Sequence, residues 1–212
     1  MNFSNYLKIK KQIPPNVNLL AVSKGFNSQQ IKTINTLGQN DFGESRFQEA
    51  SEKQLILKDI KQLKWHFIGR IQSNKLRKIV QNFEYIHSVD SYEKLEKISK
   101  IASEEIKNPI IMLQVKLIED PNKGGFDPNL LKEQWSEIKQ LNNININGLM
   151  TINPKGLGSN ENENLFMKCR SLADSLNLPD CSMGMSGDWE EAIRAGATWI
   201  RLGSLIFGDR PF

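Results

Sequence analysis

The chain has 212 residues, 28 Lys and Arg against 24 Asp and Glu, and a formal charge of +4. Charged residues at 25% and hydrophobic residues at 39% are typical of a globular protein and exclude a disordered, collagen-like or coiled-coil chain. The length predicts one compact domain over residues 1–212.

Several sequence features predict a cytoplasmic protein without a membrane span. Apolar runs such as 110–113 are far shorter than the roughly 18 residues that a membrane helix needs. The N-terminus, MNFSNYLKIKKQIPPN, has lysines but neither the apolar segment nor the cleavage site of a signal peptide. Cys169 and Cys181 form no CxxC pair, and we expect them to be reduced thiols.

Short, mainly apolar runs alternate along the chain with segments of helical periodicity, as in a parallel sheet covered by helices. The predicted strands are 18–22, 40–43, 64–68, 84–89, 110–116, 146–152, 181–184 and 198–202. The predicted helices are 28–37, 45–57, 74–80, 92–106, 128–141, 161–176 and 188–195.

Residues at the helix ends agree with this division. Ser28 and Ser91 stand at helix starts, Asp188 to Glu191 has the spacing of a capping box, and Gly196 follows a helix end. Eight strands about 25 residues apart favour a single (β/α)8 TIM barrel. A doubly wound sheet is the alternative fold class.

Lys24 follows the first predicted strand, in AVSKG. In a TIM barrel the carboxyl ends of the strands carry the functional residues. A single lysine there is explained either as a solvated residue that begins a loop or as an amine that attacks a carbonyl at the mouth of a pocket.

The last two predicted strands are followed by glycine-serine loops, MGMSGD (183–188) and RLGSLIFG (201–208). Each combines glycines, a hydroxyl and a predicted helix start, a combination that favours anion binding. A lysine opposite two such loops predicts a phosphorylated aldehyde cofactor.

The motifs AVSK, FGE, WHFIGRIQSNK, IHSVD, GLMTI, SMGMS and IRLGSLIFG occur in this order from about Asn18 to the C-terminus. In this order and spacing the chain resembles the YggS/PROSC family of pyridoxal 5'-phosphate (PLP)-binding proteins, the PLP homeostasis proteins. The resemblance implies a barrel of the alanine racemase N-terminal type, PLP fold type III, and a role in vitamin B6 and amino-acid or 2-oxo-acid balance.

The same resemblance implies roles for individual residues. Lys24 would form the internal aldimine with PLP, and Arg201 would face the pyridine nitrogen. The remaining expected cofactor contacts are Ser45 to the ring, Met150 beside it, and a phosphate cradle of Ser186, Gly187, Gly203 and Ser204.

An arginine at the pyridine nitrogen limits the chemistry. A guanidinium only donates hydrogen bonds, so the ring nitrogen stays unprotonated and PLP is a weaker electron sink. The chain ends at Phe212, and we expect no second domain to supply a racemase's opposing base. A carrier or buffer of PLP is therefore predicted, with a PLP-dependent amino-acid racemase or lyase as the alternative.

Other polar residues have weaker assignments. His66 and His87 have no acidic or thiol residues at metal-ligand spacing, so no metal site is predicted. Both face either the cofactor or the core, and Glu44, Asn74 and Asp90 are candidates for the mouth of the barrel. Trp65, Phe67 and Met112 are predicted packing residues.

A third hypothesis is a binding module for nucleic acid or an acidic protein. The pI is near 9.0, and Lys75, Arg77 and Lys78 form a basic cluster, as do residues 8–11. Their helical spacing with apolar residues favours solvated helix surfaces instead. The remaining predictions are a monomer, with PLP-dependent apoenzymes as candidate recipients of the cofactor.

Overall fold

A computed structural model describes residues 3–118 and 124–209. Eight parallel strands form a closed barrel in chain order, with β8 paired to β1. The strands are β1 (Asn18–Val22), β2 (Asp41–Glu44), β3 (Lys64–Phe67), β4 (Tyr85–Val89), β5 (Ile110–Gln114), β6 (Asn145–Met150), β7 (Asp180–Ser182) and β8 (Trp199–Leu202). The predicted (β/α)8 barrel is therefore confirmed, with strand ends displaced by one or two residues in several places.

Helices cover the outside of the barrel. They are α1 (Phe3–Gln12), α2 (Ser28–Thr36), α3 (Phe47–Ile56), α4 (Leu76–Asn82), α5 (Tyr92–Glu104), α6 (Pro128–Ile138), α7 (Ser159–Ser175), α8 (Trp189–Arg194) and α9 (Ser204–Phe207). A 3-10 turn, Ser73–Lys75, precedes α4. Neither α1 nor α9 is among the predicted helix ranges, although a helix start was predicted in the loop 201–208 and a helix surface at residues 8–11; the two helices pack against each other.

The caps of the helices follow the sequence in part. Ser91 accepts a hydrogen bond from the Lys94 amide, as expected of an N-cap. At α2 the cap is Asn27, one residue before the predicted Ser28, and it forms a reciprocal capping box with Gln30. Gly196 has a φ of +88°, in agreement with its predicted place after a helix end.

Two hydrophobic clusters account for the apolar strands. Leu20, Met112, Met150 and Trp199 fill the inside of the barrel, whereas Trp65, Phe67 and the helix residues belong to the larger cluster outside it. Because both faces of each strand are covered, a strand such as NLLAV is buried over four consecutive residues.

Within the described residues, no helix has the length and apolarity that a membrane span requires. The same residues contain no cluster of three or more His, Cys, Asp or Glu side chains suited to a metal ion. Cys169 and Cys181 are buried free thiols, in agreement with their prediction as reduced cysteines.

Candidate functional site

A cavity of about 480 Å³ opens at the carboxyl ends of the strands. This volume lies within the range of pockets that hold small ligands. The loops after β1, β6, β7 and β8 contribute to its lining. Among the residues predicted to contact a cofactor, the lining includes Lys24, Met150, Ser186, Gly187, Arg201, Gly203 and Ser204.

Ser45 does not line this cavity. It lies at the end of β2, in a neighbouring cavity of about 400 Å³ that Arg46 and Arg70 also line. The Ser45 backbone packs so closely on Gly69 that a β-carbon there would overlap the Ser45 carbonyl oxygen. The turn after β3 thus lies against Ser45, whose side chain is not among those that surround the main cavity.

The backbone on both sides of Lys24 is held by a group of charged side chains, of which Glu44 and Lys53 are buried and Glu49 is 25% exposed. The Ser23 hydroxyl donates to Glu44 Oε1 at 2.6 Å, and the Ser23 carbonyl accepts from Lys53 Nζ at 2.8 Å. On the other side the Gly25 amide donates to Glu49 Oε1 at 2.5 Å. We call Glu44, Glu49 and Lys53 the buried acid-lysine cluster; it fixes the loop that carries Lys24.

Two carboxyl groups of this cluster share one ammonium group. Lys53 Nζ lies 2.7 Å from Glu44 Oε1 and 2.6 Å from Glu49 Oε1. Burial raises the pKa of Glu44 although Lys53 opposes the shift. Burial also acts to raise the pKa of Glu49, but the hydrogen bonds from Lys53 and Gly25 outweigh it, so that pKa is lowered. Glu44 was a candidate for the mouth, yet it is fully buried and accepts from the Ser23 hydroxyl.

Lys53 and Glu49 were not predicted as functional residues. The sequence does contain one indication of their contact: they are four residues apart on α3, which places them on one face of the helix. That spacing does not reveal that this face covers the end of β1. The contact depends on how α3 packs against the barrel.

The Arg201 side chain reaches the cavity from inside the barrel. Its Nη1 donates to the Ser182 carbonyl oxygen at 2.6 Å and to Ser182 Oγ at 2.9 Å, and its Nη2 donates to the Thr151 carbonyl oxygen at 2.8 Å. Burial lowers the pKa of Arg201 to about 10, which leaves the guanidinium protonated at neutral pH. A fixed cation, some of whose N–H groups have no hydrogen-bond partner among the described residues, is therefore present at the cavity wall.

The two glycine-serine loops meet as their sequence predicted. The Ser204 hydroxyl donates to Ser186 Oγ at 3.3 Å. The predicted capping box at Asp188 does not form, because the Asp188 carboxylate accepts from the Met185 amide at 2.6 Å and makes no hydrogen bond to α8. Asp188 instead closes the loop after β7 and lines the cavity, a role that its sequence position alone did not indicate.

The other polar candidates lie away from this cavity. His66 and His87 are fully buried inside the barrel, with His66 Nδ1 3.0 Å from His87 Nε2. Asp90 pairs with Lys94 at 2.6 Å, and Asn74 is in the exposed 3-10 turn before α4. Neither histidine, nor Asp90, nor Asn74 lines the cavity.

Sequence and structure comparisons identify the family. The model of the alanine racemase N-terminal domain matches residues 3–211. The pyridoxal phosphate homeostasis protein of Synechocystis sp. is 46% identical over 213 residues, with 98% of each chain covered. The chain belongs to the pyridoxal phosphate homeostasis proteins.

Solved structures are also similar to this chain. PipY of Synechococcus elongatus, solved with PLP bound, is 42% identical, with 98% of this chain and 100% of PipY covered and a TM-score of 0.94. An alanine racemase of Clostridium difficile is 16% identical, with 98% of this chain and 59% of the racemase covered and a TM-score of 0.80. The racemase similarity shows a shared barrel fold.

Proposed function

We propose that this protein binds PLP in the cavity at the barrel mouth and serves PLP homeostasis as a carrier or buffer. The observation that carries the proposal is that the Lys24 amine, the Arg201 guanidinium and the Ser186 and Ser204 hydroxyls surround one cavity. We also propose that residues 1–212 form a single PLP-binding domain. The PLP-bound PipY relative, similar over nearly the whole chain, supports it.

The side chains at the cavity fit this cofactor. A phosphate needs several donors, and the Ser186 and Ser204 hydroxyls stand together on adjoining loops. A β-carbon at Gly187 would meet no atom within 4 Å, which leaves room for an anion close to the backbone. Met150 presents an apolar surface from β6 beside these polar groups.

The residues also indicate what the site does not favour. PLP supplies an aldehyde that condenses with amines and a ring that withdraws electrons best when its nitrogen is protonated. Arg201 has only N–H donors and a pKa of about 10, so it would hold that nitrogen as an unprotonated acceptor. We therefore propose binding and release of the cofactor without strong catalysis.

Lys24 is the residue to test first. Purified protein should be yellow, and borohydride reduction should attach the cofactor to Lys24, as read by peptide mass spectrometry. Lys24→Ala should lose the visible absorbance and the label. Lys155→Ala is the matched control, because this second lysine also lines the cavity but is exposed. Colourless protein that takes up no added PLP, or a label on Lys155, would contradict the proposal.

Catalysis can be tested apart from binding. The PLP-loaded protein is mixed with individual alpha-deuterated amino acids, and loss of deuterium is followed by mass spectrometry. We expect no exchange beyond that produced by free PLP. Faster exchange that Lys24→Ala abolishes would favour the racemase or lyase alternative.

We further propose PLP-dependent apoenzymes as recipients of the cofactor. Loaded protein is mixed with such an apoenzyme in the presence of a scavenger that destroys free PLP, and recovered activity is measured. Activity restored despite the scavenger supports direct transfer. Activity that the scavenger suppresses completely indicates release into solution before binding.

A further inference from the structure

A chain of hydrogen-bonding side chains crosses the inside of the barrel and ends at Arg201. Arg201 Nη1 lies 2.9 Å from Ser182 Oγ, and Ser182 Oγ lies 2.9 Å from His87 Nδ1. His87 Nε2 is 3.0 Å from His66 Nδ1, and His66 Nε2 is 3.1 Å from Asp41 Oδ1. These five residues come from β2, β3, β4, β7 and β8.

The two ends of this chain determine where its protons lie. Arg201 can only donate, so Ser182 Oγ accepts from it, and the Asp41 carboxylate requires a donor, which is His66 Nε2–H. His66 Nδ1 must then accept from His87 Nε2–H, and His87 Nδ1 accepts the Ser182 hydroxyl proton. The reverse order would turn a bare His66 nitrogen toward the carboxylate.

Burial keeps both imidazole rings neutral in this arrangement. Both side chains are fully buried, and the His66 ring stacks on Tyr85 with 4.0 Å between centroids. Burial lowers the pKa of His66 despite the opposing effect of Asp41. Burial also lowers the pKa of His87, and repulsion from the Arg201 cation, or from His66 if that ring were protonated, acts in the same direction. A protonated His87 would place a second cation close to Arg201.

The hydrogen bond from Ser182 to His87 fixes the orientation of the Ser182 hydroxyl, which is one of the acceptors that hold Arg201. Because the Ser182 hydroxyl gives its only proton to His87, its lone pairs remain directed at Nη1. Without His87 the hydroxyl is free to rotate and donate elsewhere. The carbonyl oxygens of Ser182 and Thr151 complete the set of acceptors, which leaves Nε–H and one Nη2–H of Arg201 without a partner among the described residues.

We infer that Ser182, His87, His66 and Asp41 form a positioning relay that orients the Arg201 guanidinium toward the cavity. The four are positioning residues, because they act through Arg201. The consequence for the cofactor rests on the proposed function: the relay would aim the remaining Arg201 donors at the ring nitrogen.

The first test uses the protein without PLP. Nitrogen-15 NMR of the imidazoles should show protonated Nε2 and unprotonated Nδ1 in both His66 and His87 at neutral pH. Exchange spectroscopy of the Arg201 guanidinium should show slow rotation of its Nη groups. A doubly protonated ring, or the opposite tautomer in either histidine, would overturn the relay.

Variants test whether the relay positions Arg201. Ser182→Ala and His87→Phe should each speed Nη1 rotation, and raise the Kd for PLP, by about tenfold, the size of one lost hydrogen bond to a charged group. Asp41→Asn keeps an acceptor oxygen and should behave as wild type, whereas Asp41→Leu should behave as His87→Phe. Ser182→Ala gives an independent answer if the larger change at His87 prevents folding.

Ser88→Ala is the matched control. Ser88 is the neighbour of His87 on β4, and its buried hydroxyl donates to the Gly69 carbonyl oxygen at 2.6 Å, outside the relay. If Ser88→Ala changes Arg201 rotation as much as Ser182→Ala, the relay has no positioning role. A wild-type protein that binds no PLP would contradict the proposed function, while the tautomers and the rotation would still decide the relay.

Discussion

At the residue scale, the loop that carries Lys24 depends on one buried ammonium group. Lys53 is only 5% exposed and contacts Glu44, Glu49 and the Ser23 carbonyl oxygen. Removing the cation from a buried ion pair strongly destabilises the folded protein, since the remaining carboxylate charge is not solvated. The buried acid-lysine cluster therefore links the stability of the barrel to the position of Lys24.

Lys53→Met should lower the free energy of unfolding by about 3–5 kcal/mol, because Glu44 and Glu49 are left without their shared cation. Urea denaturation measures the change. Lys97→Met is the control: this exposed lysine also pairs with a glutamate four residues away, Glu93, and its loss should leave unfolding unchanged. Equal effects of the two substitutions would show that burial of the cluster does not increase the contribution of Lys53 to the free energy of unfolding.

The two histidines of the chain should make stability depend on pH. Their pKa values are lowered in the folded state, so below about pH 6.5 the unfolded chain binds protons that the folded chain does not bind. The stabilisation is complete above pH 6.5 and is lost as the pH falls through the folded pKa values. The limiting slope is about 1.4 kcal/mol per pH unit for each histidine.

Urea denaturation from pH 7 to pH 5.5 tests this expectation. The raised pKa of Glu44 acts in the opposite direction, because its contribution is lost as the pH rises through that value. Glu44 contributes equally to the pH dependence of wild type and of His87→Phe, so its effect cancels in the difference between the two slopes. We expect a shallower slope in the variant, and parallel slopes would contradict neutral buried histidines.

At the element scale, the approach of α8 to the end of β7 shapes the loop that carries Ser186. Gly184 has a φ of +88°, and a β-carbon there would lie 2.5 Å from Ala192 Cβ on α8. Both the left-handed backbone and the close contact require glycine. The six residues 183–188 thus connect strand to helix in very little space.

Gly184→Ala should destabilise the protein by about 2–5 kcal/mol, as the sum of backbone strain and overpacking. Gly38→Ala provides the comparison, because Gly38 has a φ of +93° but no atom within 4 Å of the added carbon. Backbone strain alone predicts about 1–2 kcal/mol there. Urea denaturation of both variants measures the difference, and equal losses would mean that α8 moves away freely.

At the scale of the whole molecule, the mild positive charge does not converge on one surface cluster. Arg77 pairs with Glu104 and Glu105, so one of the three basic residues at 75–78 is neutralised. We expect only weak, nonspecific DNA binding, equal in wild type and in a Lys75→Gln, Arg77→Gln, Lys78→Gln variant. Fluorescence anisotropy at two salt concentrations measures it. Tight DNA binding that is abolished both by salt and by the triple substitution would contradict this expectation and support the nucleic-acid hypothesis.

The surface also favours a monomer. Large exposed apolar side chains within the described residues are distributed over several elements, among them Leu7 on α1, Leu55 on α3 and Met167 on α7. Scattered exposure of this kind is normal on monomeric proteins. Sedimentation equilibrium should give a mass near the 24.2 kDa of one chain, and a twofold mass would contradict the expectation.

Much of the fold could be predicted because it depends on local patterns. Short runs such as NLLAV at 18–22 are buried on both faces and therefore stand out from the amphipathic helices between them. By contrast, α9 has four residues, fewer than periodicity can detect, and α1 is a helix whose Tyr6 and Ile9 are buried against the rest of the barrel. Asp188 shows the same limit, since its spacing fits a cap but its carboxylate turns back to Met185.

The sequence by itself determined the order of strands and helices, the strand-end lysine, and the two glycine-serine loops, because these follow from periodicity and residue type. Only the tertiary structure decided that Ser45 lines another cavity, that Lys53 binds the backbone next to Lys24, and that the two histidines and Ser182 connect Asp41 to Arg201. The physical reason is separation along the chain: His87 and Ser182 are 95 residues apart, and closure of the barrel brings them into hydrogen-bonding contact.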